Sequence, residues 1–333
     1  LFVSGGIDSS SIVKQVHTLN KDLKTFSVGY SDPKYDESQW SNLVSDTYST
    51  NHKTVNLGND DINNTIQESI DIFDEPYSDP STVPSYVISK VISENYKVAI
   101  SGDGGDELLF GYDRSKFMTS RSRYGFRSDL VNKYYPNHFG TGNNFTKFDH
   151  SLSKAYASFF SDKKLLNLLH LDSNLTFETN YFQNIKNEFQ SSLLVEYNFY
   201  LSEMMMLKID TTSMANSLEI RSPFVDHNLI EYITSVNTDI NSKLFNKQVL
   251  KEKLEKDMGK EFTNRKKMGF VFNLESWIYS NIDEVFEAIQ KSKLDIEMSQ
   301  LNLLSRIKSR VNSQRIWRIY FLVNYLEWFN KRI

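Results

Sequence analysis

Leu1-Phe2-Val3-Ser4-Gly5-Gly6-Ile7-Asp8-Ser9-Ser10-Ser11 reads, in order, as the end of an apolar strand, a glycine turn and a hydroxyl-rich helix start. Ile12, Val13, Val16 and Leu19 follow on one face, so Asp8–Asn20 is expected to be helical. The same alternation continues outward from this stretch. Strands are expected at Thr25–Tyr30, Lys53–Leu57 and Lys97–Ser101. Helices are expected at Tyr35–Thr50, with Asp36 and Glu37 in the first turn, at Asp60–Phe73, and at Val83–Asn95, with Pro84 near its start. Strands separated by helices of this length predict an α/β fold, a parallel sheet flanked by helices. After about residue 115 the pattern changes: residues 120–150 are rich in Arg, Asn, Tyr and Gly, and from Leu152 most segments read as helix. The expected organisation is an α/β nucleotide-binding core over 1–115, a variable, mostly helical insertion over 116–200, and a helical remainder over 201–333 that carries further site residues.

The 333 residues suffice for one large domain or two ordinary ones. A formal net charge of -4 argues against a polyanion-binding surface, and no nucleic-acid partner is expected. The chain has no cysteine, which excludes a disulfide framework, a thiolate metal site and a cysteine nucleophile within it. That composition suits a reducing, cytoplasmic setting. No apolar run approaches the ~18 residues of a membrane span, and no signal peptide is visible. The six histidines lack metal-ligand spacing. Because Leu1 opens directly into a strand, a further N-terminal portion is expected to precede the chain.

Of the thirteen glycines, Gly5, Gly6, Gly102, Gly104, Gly105 and Gly111 fall in two short loops, each after an expected strand. Ligands of open parallel sheets bind at the carboxyl ends of strands. Glycine there lets backbone N–H groups approach a phosphate, and a helix N-terminus favours the anion. The first loop lacks the Gly-Lys-Ser/Thr ending of a Walker loop and the spacing of a dinucleotide fingerprint. Local physics leaves two readings open for it, a phosphate cradle or an N-capped helix after a glycine turn. The second loop is Ser101-Gly102-Asp103-Gly104-Gly105-Asp106-Glu107, followed by Phe110-Gly111-Tyr112. Its carboxylates on a glycine frame suit Mg2+, or are merely solvated.

Resemblance separates these readings. Ser4-Gly5-Gly6-Ile7-Asp8-Ser9-Ser10 resembles the pyrophosphate loop of the ATP-pyrophosphatase (PP-loop) group, SGGxDSS, whose members cleave ATP between the α and β phosphates. The second loop resembles the SGDGGDE…GGY segment of asparagine synthetases, with Phe110 in place of the first glycine of GGY. Asp74-Glu75-Pro76-Tyr77-Ser78-Asp79-Pro80-Ser81-Thr82-Val83-Pro84 is similar to that family's proline-dense stretch, although on its own it also reads as a stiff connection. Residues 207–227 look like the block xKxDRxSMAxSLExRxPFLDH, with Thr211 where the family has Arg and Val225 where it has Leu. Lys247 matches a KxxLR position, and Lys267, in Arg265-Lys266-Lys267-Met268-Gly269-Phe270, matches RxKxGF. The resemblance runs in order from residue 1 to about 275.

The resemblance implies a Rossmann-like, adenine nucleotide alpha-hydrolase-like sheet and the C-terminal synthetase domain of a glutamine-hydrolysing asparagine synthetase. It implies that ATP is held by Ser4, Gly5, Gly6, Asp8, Ser9, Ser10, Val28, Ser101 and Gly102. Asp8 and Asp106 would bind Mg2+, Lys247 and Lys267 would neutralise pyrophosphate, and Asp103 would face the acceptor as a base; the separate roles of Asp103, Asp106 and Glu107 stay open. The acceptor would be aspartate or another carboxylate, such as a sugar acid, or a substrate of β-lactam or peptide cyclisation. Ammonia would come from glutamine through an N-terminal glutaminase domain absent from these residues. A homodimer is left open, as is a non-catalytic nucleotide-binding module. Lys208, Asp210, Glu219, Arg221 and Asp226 lie among apolar residues and are read chiefly as a structural ion-pair network. Met204-Met205-Met206 is read as core filling.

Overall fold

The structure, a computed structural model, describes residues 1–115, 156, 159–160, 162–171, 193–235, 245–265, 268–292 and 294–333. Two compact units divide the chain. The first comprises Leu1–Asp74, Asp79–Lys116 and Ser192–Phe272; the second comprises Glu75–Ser78, Phe117–Ser191 and Asn273–Ile333.

In chain order the elements are α1 (Ile7–Leu19), β1 (Lys24–Tyr30), α2 (Ser38–Tyr48), β2 (Asn51–Leu57), α3 (Asn59–Ile72), α4 (Thr82–Ser93), β3 (Val98–Ile100) and the short α5 (Gly105–Leu108). They continue with α6 (Lys163–Leu168), a π-helix (Glu196–Met206) running into α7 (Leu207–Met214), β4 (Glu219–Arg221), α8 (His227–Ser235) and α9 (Gln248–Asn264). The chain ends in α10 (Leu274–Ser280), α11 (Ile282–Lys291), α12 (Met298–Arg306) and α13 (Arg310–Asn330).

In the first unit β1 pairs parallel with β2, from Lys24 opposite Asn51 to Tyr30 opposite Leu57, and β3 pairs parallel with β4. Leu1–Val3 joins the two pairs. The amide of Phe26 donates to Leu1 O (2.9 Å), that of Val3 to Phe26 O (2.7 Å), and that of Phe2 to Ile100 O (2.9 Å). The spatial order is therefore β2, β1, Leu1–Val3, β3, β4. The chain runs outward one way through β1 and β2, then crosses back to β3, and that reversal is where open parallel sheets form their ligand crevice. Thr25 to Gly29 of β1 are all buried, as a strand covered by helices on both faces requires. Leu1, Val3, Val13, Val44, Leu108 and Leu254 share one apolar cluster, so the two loops that follow Leu1–Val3 and β3 stand on a common core.

Two readings are corrected. Glu219–Arg221, taken from sequence as part of a helical region, is a strand. Met204 is 37% exposed, and Met205 and Met206 are half-buried, so this run does not fill the core.

In the second unit, Trp317 of α13 packs on Trp277 of α10 (ring centroids 5.5 Å) and on Phe321 (4.7 Å). Its indole N–H donates to Ser78 O (2.8 Å). The Arg315 guanidinium meets the Asp162 carboxylate at 2.6 and 2.9 Å, both side chains buried. Among the described residues, no helix is long and apolar enough to cross a membrane.

Candidate functional site

Both glycine loops lie at the sheet's reversal point in the first unit. Gly6 is the N-cap of α1 and has no side chain with which to cap it. Its first N–H groups are thus left to other partners. Hydroxyls gather beside them: Ser4 Oγ accepts from Gly6 N (3.2 Å) and lies 3.4 Å from Ser9 Oγ. The hydroxyls of Ser10 and Ser101 are buried without a hydrogen-bond partner among the described residues. A buried hydroxyl left unbonded is costly, and these two, one in each loop, fit a polyoxyanion such as a nucleotide phosphate.

Glycine is what lets the loops interlock. A Cβ at Gly105 would stand 2.6 Å from the Asp8 carboxyl carbon. A Cβ at Gly111 would stand 2.0 Å from Asp106 Oδ1 and 2.3 Å from Lys247 Cε. Neither position has room for a side chain.

Asp8, from the first turn of α1, and Asp106, from α5, converge on the ammonium of Lys247, which lies 2.5 Å from Asp106 Oδ1 and donates to Asp8 Oδ2. Lys247 is the N-cap of α9 and has left-handed backbone (φ 59), as does Asn246 before it (φ 53). Its N–H is tied to Leu109 O at 3.1 Å, beside α5. Burial by itself lowers the lysine's pKa, but the two carboxylates outweigh it and hold the ammonium above its usual value. The pair of acids is thus already organised around a cation, which suits a divalent ion's donor set. Among the described residues no group of three or more acidic or histidine side chains forms a metal cluster by itself.

The remaining expected residues divide. Gly102 packs on Ser9 and Asp8, so it belongs to the same centre. Asp103 sits in the turn between Gly102 and Gly104, half-buried, its main-chain carbonyl accepting from the Ser222 hydroxyl. Val28 is buried inside β1 opposite Val55, two residues before the strand's carboxyl end, and is not part of the Asp8–Asp106–Lys247 cluster. Lys267 lies outside the described residues.

Sequence reasoning gave no role to several groups that support this centre. Glu107, 1% exposed, accepts from the Tyr112 hydroxyl (2.7 Å); burial, then the neighbouring Asp106, pushes its carboxyl up to about 7. Arg114 lies between the rings of Tyr112 (3.8 Å) and Tyr200 (3.9 Å) and forks onto Glu196 at 2.9 and 2.8 Å. Arg265 bonds Gly5 O at 2.6 Å and pairs with Glu37. The only sequence signal for this Arg was its place at the head of the Arg265–Phe270 block. Lys208, buried, donates to Ser81 (2.8 Å) and faces Asp79 (3.8 Å), as the ion-pair reading expects. Asp210, Glu219, Arg221 and Asp226 are exposed rather than set among apolar residues; β4 lies at the edge of the described sheet, and there Arg221 still pairs with Glu219 at 2.8 Å. Phe110, where the resembled segment has glycine, is fully buried and keeps left-handed backbone (φ 52).

A sequence profile described as asparagine synthase matches residues 1–320. Asparagine synthetase (glutamine-hydrolyzing) 1 of Bacillus subtilis (strain 168) is 26% identical over 341 residues, covering 96% of this chain and 54% of that protein. Putative asparagine synthetase (glutamine-hydrolyzing) 2 of Methanocaldococcus jannaschii is 37% identical over 135 residues, 40% of this chain and 24% of that protein. Amidase chyE of Penicillium rubens is 21% identical over 345 residues, 83% of this chain and 49% of that protein. The chain thus spans about half, or less, of the length of these relatives.

Proposed function

This chain belongs to the asparagine synthase family, and on that basis we propose that it is the synthetase portion of an ATP-dependent amide ligase that adenylylates a carboxylate and passes it to ammonia. The observation that carries this reading is the meeting of Asp8, Asp106 and Lys247 at the helix N-terminus that Gly6 begins, at the sheet's reversal point. Binding a polyphosphate and stabilising departing pyrophosphate needs those groups together.

In the proposed reaction an oxygen of the acceptor carboxylate, aspartate's side chain by preference, attacks the α-phosphorus of ATP and pyrophosphate leaves. Ammonia then attacks the acyl carbon, AMP leaves with the C–O bond, and the amine gives up a proton. The N–H groups at the start of α1 and the hydroxyls of Ser4, Ser9 and Ser10 hold the phosphates, while Val28, Ser101 and Gly102 complete the nucleotide contacts. Lys247 supplies positive charge to the leaving pyrophosphate, and Lys267 is proposed to do the same. Asp103 faces the acceptor and takes the amine's proton. Asp8 and Asp106 would hold Mg2+, which when bound would offset charge on the phosphate oxygens. A glutaminase domain would supply the ammonia, in the cytoplasm where ATP is abundant.

The test is release of AMP and pyrophosphate from ATP, Mg2+ and ammonium, with mass spectrometry of the product. Aspartate-dependent release that yields asparagine is expected. ATP binding without release for any carboxylate would instead support a non-catalytic module. Because these 333 residues contain no cysteine, ammonium and not glutamine should sustain the reaction; glutamine hydrolysis by this chain would contradict that.

A further inference from the structure

We propose that Arg265 is the positioning residue that fixes the polarity of the phosphate loop, by locking the peptide between Gly5 and Gly6 in one of its two orientations. The inference rests on the adenylylation reading and deepens it.

Gly5 has φ +72, and a Cβ there would meet Trp40 Cβ at 2.6 Å and Ser41 N at 2.9 Å. Only glycine fits, and glycine alone does not hold a peptide plane in place, because it crosses between positive and negative φ at little cost. Something else must fix this one. The Gly5 carbonyl accepts from Arg265 Nη2 at 2.6 Å. A trans peptide is planar with its N–H and C=O opposed. Pinning that carbonyl on the guanidinium therefore turns the Gly6 N–H to the other side, where Ser4 Oγ accepts it at 3.2 Å and Ser9 Oγ lies a further 3.4 Å on. That side carries the hydroxyls and helix N–H groups assigned to phosphate. A flipped peptide would turn a carbonyl oxygen to the anion's side and release the Ser4 hydroxyl that the Gly6 N–H holds there.

Arg265 is itself held on three sides. Its Nη1 pairs with Glu37, the N-cap residue of α2, and its guanidinium lies 5.1 Å from the Trp40 ring centroid and 5.6 Å from that of Phe262. A guanidinium serves here where an ammonium does not, since its fork reaches a carboxylate and a carbonyl at once with fixed directions. All of these contacts are with the protein itself, so Arg265 acts through the loop.

Calorimetric binding of inorganic pyrophosphate, ATP and adenosine to the whole chain tests this in the wild type, Arg265→Met, Arg265→Lys and Glu37→Gln. Losing a charge-assisted hydrogen bond that orients the loop should weaken pyrophosphate and ATP roughly ten- to a hundred-fold in Arg265→Met. Arg265→Lys and Glu37→Gln should lose less, and adenosine affinity should stay unchanged throughout. Undiminished pyrophosphate affinity in Arg265→Met, or a parallel loss of adenosine in all three variants, would overturn the proposal while leaving the adenylylation reading in place. Wild-type protein that takes up neither ATP nor pyrophosphate would overturn both.

Discussion

Burial as deep as that of Lys247, 5% exposed, would by itself favour a neutral amine; Asp8 and Asp106 reverse this and keep it charged. The same pairing explains how two neighbouring residues, Asn246 and Lys247, are kept in left-handed backbone that costs roughly 1–2 kcal/mol each. Replacing Lys247 with Met leaves two carboxylates facing each other without a cation. Such a loss of one partner of a buried pair costs about 3–5 kcal/mol. The carboxyl pKa values should rise in the folded variant, so its stability would be present below about pH 4 and lost as pH rises above that range. Thermal melts of Lys247→Met should therefore show a larger deficit at pH 8 than at pH 5; equal deficits would contradict the pairing. Gly111→Ala provides a steric counterpart, since its Cβ would strike Asp106 and Lys247 at 2.0 and 2.3 Å. Activity should fall at least ten-fold with the far-ultraviolet dichroism of the wild type retained.

Between β1 and β2 the ring of His52 is held through both nitrogens, Nδ1 on Thr25 (2.9 Å) and Nε2 on Ser27 (3.0 Å). Burial lowers the pKa of His52 from 6.5, with Asp46 opposing. The unfolded chain then takes up a proton first, so this clamp stabilises above pH 6.5 and its contribution falls away as pH drops below that value. Urea titrations from pH 7.5 to 5 should show that loss in the wild type and a shallower one in His52→Gln; identical slopes would count against it. The strands and helices up to residue 101 were legible because each carries its own apolar period. Their ends were less so. Tyr35–Thr50 shrinks to Ser38–Tyr48 because the Asp36 carboxylate binds Ser38 N (3.2 Å) and Oγ (2.6 Å), starting the helix there. β4 had no local signal, since three residues with charged ends make a strand only by pairing with β3, over a hundred residues earlier. Lys208 could be read as paired, but its partners Ser81 and Asp79 are equally remote in sequence.

At the scale of the molecule, the site draws Asp8, Asp106 and Lys247 from stretches about a hundred or more residues apart. Each stretch was recognisable by its glycines or its motif, whereas the contact among the three, and the support from Arg265 and Glu107, follow from how the loops stack on one core. The second unit has a separate anchor in the Arg315–Asp162 pair, whose Asp also accepts from Lys164 N and Leu165 N at the start of α6. Asp162→Asn should cost this unit about 3 kcal/mol, read from urea unfolding by the emission of Trp277 and Trp317; an unchanged midpoint would contradict that role. The central claim is carboxylate adenylylation at the Asp8–Asp106–Lys247 centre. The most direct measurement is exchange of labelled pyrophosphate into ATP by the whole chain with Mg2+, with and without aspartate and without any amine. Exchange that appears only with the carboxylate, and that drops a hundred-fold or more in Lys247→Met, is the predicted result. No exchange with any carboxylate, in protein that still binds ATP, would contradict the account.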